Sequence, residues 1–169
     1  TNESEAINKL LKGEVWMAIT SRDFKKEELE SLKARKQFPR SVRFAYDGLA
    51  LIQNISNTDS CISVDNIKDI LNGKITRWNQ IYPKSKIGEI TVVFDNPNSS
   101  AVHFVEDSIL GGKPILNKNV AAVKKTAEVI KYVEENKGAI GIIGSNWLND
   151  KRDTTNLTFK KEIRPMAVS

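Results

Sequence analysis

The chain has 169 residues, with 26 Lys and Arg against 21 Asp and Glu, for a formal charge of +5. Apolar residues make up 40% and charged residues 28%. These are the proportions of a globular domain with a real core, which excludes a disordered tail, a collagen and a membrane bundle. The apolar runs at 49–52 and 139–143 are far too short to cross a bilayer, and no basic-then-apolar leader opens the chain, which leaves the compartment open.

One cysteine, Cys61, makes no internal disulfide, and one histidine, His103, makes no zinc site with a single thiol unless carboxylates fill the rest. Together these counts remove most metalloenzyme and Ser-His or Cys-His hydrolase readings. Basic residues alternate with acidic ones, as in Lys25-Lys26-Glu27-Glu28. No basic run is interleaved with aromatics, so the surface reads as solvated mixed charge rather than a nucleic-acid face.

In chain order, Asn2 or Ser4 caps a helix with Ala6, Ile7, Leu10 and Leu11 on one face, and Gly13 ends it. Residues 14–20 (EVWMAIT) read as a short strand. A helix covers 26–36, with Leu29 and Leu32 inward, and Pro39 follows the break. Residues 42–46 and 49–53 are strand candidates, the second continuous enough to be buried on both faces. Ser63 caps a helix carrying Val64, Ile67, Ile70 and Leu71, which Gly73 ends. A strand is expected at 89–94, and a helix from Ser99 or Ser100 to Gly111-Gly112, with Val102, Val105 and Ile109 inward. A further helix is expected at about 120–136, a strand at 139–143, another at 157–159, and a last apolar piece at 166–168. Trp16, Trp78 and Trp147 are expected in packing roles. The alternation of strands and helices predicts an α/β architecture with a largely parallel sheet, in which ligands sit at strand ends.

Strand-to-helix loops therefore supply the candidate sites. Ser21 and Arg22 follow the first predicted strand, where a hydroxyl and a guanidinium fork can bind an anion or simply open a loop. Ser99 and Ser100 precede a helix, where they serve either as an oxyanion cradle or as an ordinary cap. Asp47, beside Gly48, is either an acceptor for a protonated ligand or part of a plain turn. Gly138, Gly141 and Gly144 match no phosphate loop or dinucleotide fingerprint and read as helix termination and close packing. His103 reads as a packing or surface residue. No nucleophile, base and orienter come together, so no catalytic residue, metal or cofactor is expected.

Several strings occur in order over nearly the whole chain: AINKLLKGEVWMAITSRDF, AYDGLALIQN, SVDNIKDILNGKITRWNQI, ITVVFDNPNSSAVHFV and ENKGAIGIIG. The most specific pieces are Asp47-Gly48-Leu49-Ala50, the nonapeptide ILNGKITRW and Gly138-Ala139-Ile140-Gly141. Together they resemble the phosphate-binding component of ABC transporters, a type II periplasmic binding protein family. The resemblance implies two α/β lobes with mixed, mostly parallel sheets flanked by helices. Phosphate or a related oxyanion would be held between the lobes without covalent chemistry, for delivery to a permease. It implies no enzyme activity and a periplasmic or extracytoplasmic location, with any lipid tether outside this chain. It also implies a complete second lobe at 53–155, between an incomplete first-lobe piece at 1–52 and a return segment at 156–169. The crossings are expected at 49–54 and about 155–159. A first lobe without its opening elements is expected to expose Leu10, Leu11, Val15, Met17 and Ile19 and to promote self-association.

Carried over residue by residue, Ser21 and Arg22 match the family's ligand-facing position, and Ser99, Ser100 and Ala101 match its Ser-Gly-Thr anion loop. The chain departs from the family by having Asp95 in place of an arginine, Ser100 in place of glycine and Ala101 in place of threonine. An anion where a cation is expected predicts weak phosphate binding, in the millimolar range or worse. A sensing or interaction module of the same fold with an altered or lost site is the alternative.

Overall fold

A strand that is apolar on both faces needs cover on both sides, and β1 (Leu49–Asn54) has it. Its residues alternate between two hydrophobic clusters, Leu49 and Leu51 toward one and Ala50 and Ile52 toward the other. In this computed structural model, which describes residues 3–43, 45–46, 48–97, 99–148 and 162–169, β1 is a central strand of a five-stranded sheet. The chain divides into two compact units, Thr1–Tyr46 with Asn98–Ser100, and Asp47–Pro97 with Ala101–Ser169.

In the second unit, β2 (Cys61–Ile62) precedes α3 (Val64–Leu71). Ser63 caps that helix as expected, its hydroxyl accepting the Asn66 N–H at 3.1 Å, and Gly73 follows it with φ +75. Then come β3 (Thr91–Phe94), α4 (Ser100–Phe104), β4 (Val120–Ala122), α5 (Thr126–Glu135), β5 (Ala139–Gly144), β6 (Ile163–Pro165) and β7 (Ala167–Val168). The main sheet has the order β4-β3-β5-β1-β6. β3 is parallel to β4 and β5, whereas β1 is antiparallel to both β5 and β6. Four strands therefore share one direction and β1 alone opposes them. A separate parallel pair joins β2 to β7.

Side-chain alternation splits the core across the sheet. Val92, Phe94, Ile140 and Ile142 pack with α3, Trp78, Val102 and Val105 on one face. Val93, Ala139 and Ile143 pack with Val129, Ile130 and Val133 of α5 on the other. Trp78 is wholly buried, and its indole N–H donates to the Gly138 carbonyl at 3.0 Å. Gly141 lets α5 approach the sheet, because a Cβ there would lie 2.8–2.9 Å from Ile52, Val129 and Val133 side chains. Gly141→Ala is therefore expected to destabilise the chain by about 1–3 kcal/mol through overpacking. Urea unfolding checks it, with a lower midpoint at unchanged m-value as the expected outcome.

The first unit contains α1 (Glu3–Lys12), which Gly13 closes with φ +75, and α2 (Lys26–Ala34); each buries one large apolar residue, Ile7 and Leu32. Acidic residues open α1 and basic ones close it, complementing the helix dipole.

Three expectations are corrected. Residues 14–20 form no strand: Met17 and Ile19 are exposed, and Trp16, expected to pack, is fully exposed, whereas Leu10, Leu11 and Val15 are half-buried. The described residues at 42–46 form no strand either, with Val42 and Tyr46 exposed. In both cases a strand needs a ladder partner, and none is present among the described residues. The predicted helix at 120–136 begins only at Thr126, because Val120–Ala122 pairs with β3 instead. β1 is paired on both sides, with β5 and β6, and lies within the second unit. β6 and β7 also lie within the second unit. The predicted crossing and strand within 155–159 lie outside the described residues.

Candidate functional site

The segment after α1 runs back along the first unit and turns at Thr20, Ser21 and Arg22. The Thr20 hydroxyl donates to the Arg22 carbonyl at 2.8 Å and fixes this turn. With the turn closed, three donors point to one place: the Ser21 N–H, the Ser21 hydroxyl and the Arg22 N–H. All three donate to a single oxygen, Oε1 of Glu3, the hydroxyl at 2.9 Å and the Arg22 amide at 3.2 Å. The other oxygen of Glu3, Oε2, is buried and has no hydrogen-bond partner. Successive N–H groups converging on one oxygen form an anion-binding concavity, and here the anionic oxygen is a carboxylate of the chain itself.

The guanidinium of Arg22 points elsewhere. It makes a two-pronged pair with Glu28, Nη1 to Oε2 at 2.9 Å and Nη2 to Oε1 at 2.8 Å, and Nη1 also donates to the Asp23 carbonyl. Glu28 accepts the Lys25 N–H as well, at 2.7 Å, which ties the start of α2 to the turn. The Arg22 hydrogen bond, with smaller help from the Lys25 amide, holds the Glu28 carboxyl below the usual carboxylate range despite partial burial. A depressed folded pKa contributes stability that is present above the ordinary glutamate pKa of about 4.3 and is lost as pH falls through the folded value. Thermal melts should therefore show stability falling on acidification from about pH 5, and Glu28→Gln should flatten that slope. An unchanged slope in the variant would show that other carboxylates carry the acid sensitivity.

The second candidate loop follows β3. The Asp95 carboxylate accepts the Asn96 N–H at 3.0 Å. Ser99 is buried, Ser100 is the exposed first residue of α4, and the methyl of Ala101 packs into the core cluster beside Val102. Ala101 thus brings no side-chain donor to an anion. After Phe104 the helix widens into a π-helical turn at Val105–Ile109, which Gly111 and Gly112 follow with positive φ. His103 is half-buried there. Asp47 lies outside the described residues.

Ser21 and Arg22 thus share one turn, and Ser99, Ser100 and Ala101 stand in succession at the start of α4. The residues at this turn that sequence reasoning missed are Glu3 and Glu28, which hold the Ser21 and Arg22 donors. Glu28 was marked by its place three residues after Lys25 at the start of a helix, a capping position. Glu3 carried no signal beyond an acid in a first helical turn. A hollow of ≈ 600 Å³ lined by Ser56, Asp59, Tyr82, Lys84 and Lys86 in the second unit contains none of the predicted site residues.

Known proteins are similar to this chain in sequence and in fold. The family model for "PBP superfamily domain" matches residues 1–168. "Phosphate-binding protein PstS" of Borreliella burgdorferi is 31% identical over 150 residues, covering 83% of this chain and 50% of that protein. The protein of the same name from Staphylococcus haemolyticus is 28% identical over 153 residues, covering 86% of this chain and 45% of that protein. The chain thus spans about half the length of these curated relatives. Among solved structures, an ABC-type phosphate transport receptor from Vibrio cholerae superposes with TM-score 0.71 at 20% identity, over 98% of this chain and 62% of that one. PstS from Borrelia burgdorferi superposes with TM-score 0.62 at 26% identity, over 98% of this chain and 62% of that one. The α/β fold with a mostly parallel sheet is shared with these proteins, and the chain belongs to the PBP superfamily domain family.

Proposed function

We propose that this chain is a solute-binding part of a phosphate-type ABC transporter, which takes up phosphate or a related oxyanion non-covalently for delivery to a permease outside the cytoplasm. The observation that carries the reading is the convergence of the Ser21 N–H, Ser21 hydroxyl and Arg22 N–H on one anionic oxygen. Ser99, Ser100 and Asp47 are further proposed ligand residues, and Ala101 contributes at most its backbone. The relatives' names, which specify phosphate binding, support the choice of ligand. So does the chemistry: neutral donors aimed at an oxygen stabilise a tetrahedral oxyanion without a covalent step.

Among the described residues no helix is long and apolar enough to cross a membrane. An extracytoplasmic place, a permease partner and lipid anchoring are parts of the proposal, supported by the likeness to transport proteins.

Calorimetry of the chain with phosphate, sulfate and a neutral sugar tests this reading. Phosphate is expected to bind saturably but weakly, in the millimolar range, about −4 kcal/mol at 1 M standard state. The sugar is expected to give no heat. Absence of saturable binding by either oxyanion contradicts the proposal.

A further inference from the structure

The structure points to Glu3 as the residue that sets the oxyanion affinity of the Ser21–Arg22 turn: we infer that its carboxylate is a built-in competitor, which a bound oxyanion must displace. This rests on the reading of the turn as an oxyanion site. The donors are already satisfied by Glu3 Oε1, from a residue 18 positions before Ser21, so the contact is tertiary and not a local turn bond. Each donor prefers a charged acceptor, and a tethered carboxylate is present at high effective concentration. A free anion therefore meets the cradle only in the fraction of molecules whose Glu3 has swung out, and its apparent dissociation constant rises by that fraction. Oε2 of Glu3 is buried without a partner. An unpaired buried oxygen raises the free energy of the self-occupied state and keeps the contact exchangeable. Ser21 is exposed, so a ligand from solvent can reach the same donors.

Glu5 supplies the control. It lies on the same helix and carries the same charge, but it pairs with Lys9 at 3.0 Å. Calorimetry with inorganic phosphate on the native chain, Glu3→Gln, Glu3→Ala and Glu5→Gln separates competition from general repulsion. Both Glu3 variants are expected to bind phosphate about tenfold more tightly than the native chain, and Glu5→Gln to bind as the native does. Glu3→Gln keeps an acceptor of the same shape, so it remains informative should the alanine variant misfold. In the native chain, added phosphate should also move the side-chain carboxyl ¹³C resonance of Glu3. Equal tightening by Glu5→Gln, no tightening by Glu3→Gln, or a Glu3 resonance that stays fixed while phosphate binds each overturns the inference and leaves the oxyanion reading in place. Binding by the Glu3 variants alone upholds the competitor and overturns native phosphate affinity. Binding by none overturns both.

Discussion

Trp78→Ala destabilises the chain by about 3–5 kcal/mol, the largest loss expected from any single truncation here. The indole is wholly buried in the cluster that backs the sheet. It stacks on Tyr82 at 6.4 Å between ring centroids and donates to the Gly138 carbonyl at the entry to β5. Removing it leaves a cavity and takes from the Gly138 carbonyl its shorter hydrogen bond, leaving only that from the Thr91 N–H at 3.4 Å, against a total stability of about 5–15 kcal/mol for a domain of this kind. Trp78→Phe should cost less, because a ring still fills the space and only the N–H is lost. Trp16 is the internal control: it is fully exposed, so Trp16→Ala should lie within about 0.5 kcal/mol of the native chain. Denaturant unfolding followed by circular dichroism reads all three. Equal losses for Trp78→Ala and Trp16→Ala would contradict the assignment of the core.

Asp95→Arg should improve phosphate binding by at least about tenfold, the largest gain expected from a single charge change. Asp95 directly follows β3 and lies four residues before Ser99, at a position where the resemblance implies a cation. At an effective dielectric of about 20 and a separation of about 4 Å, two unit charges interact by roughly 4 kcal/mol, so reversing the sign at that loop moves affinity in one direction by a large step. The cost is the Asn96 N–H bond to the Asp95 carboxylate, roughly 1 kcal/mol of loop stability. Calorimetry of the variant reads the gain directly. Unchanged affinity would mean that Asp95 points away from the anion or accepts a bond from its protonated form.

Most of the second unit was legible because its signals are local and mutually consistent. The Ser63 cap and Gly73 stop bracket α3, and the continuous apolar runs of β1 and β5 are what strands covered on both faces require. The misreadings have one cause: strand formation depends on a partner that periodicity does not reveal. EVWMAIT has strand composition but no described ladder partner, while Val120–Ala122, contiguous with a helical pattern, is drawn into the sheet by β3. At the site, Ser21 and Arg22 were legible as anion-facing types, but their division of labour was not. The guanidinium expected to grip the ligand is held by Glu28, while the Ser21 and Arg22 amides donate to the Glu3 carboxylate. Glu3 was invisible for a related reason, since no spacing rule links an acid in a first helical turn to a serine beyond the helix.

An amide NMR titration with inorganic phosphate tests the central claim most directly, namely that the Ser21–Arg22 turn receives an oxyanion oxygen. The Ser21 and Arg22 amide resonances are expected to shift most, saturating in the millimolar range and moving further for a given phosphate concentration in Glu3→Gln. Saturable shifts confined to other residues, with Ser21 and Arg22 unmoved, would contradict it.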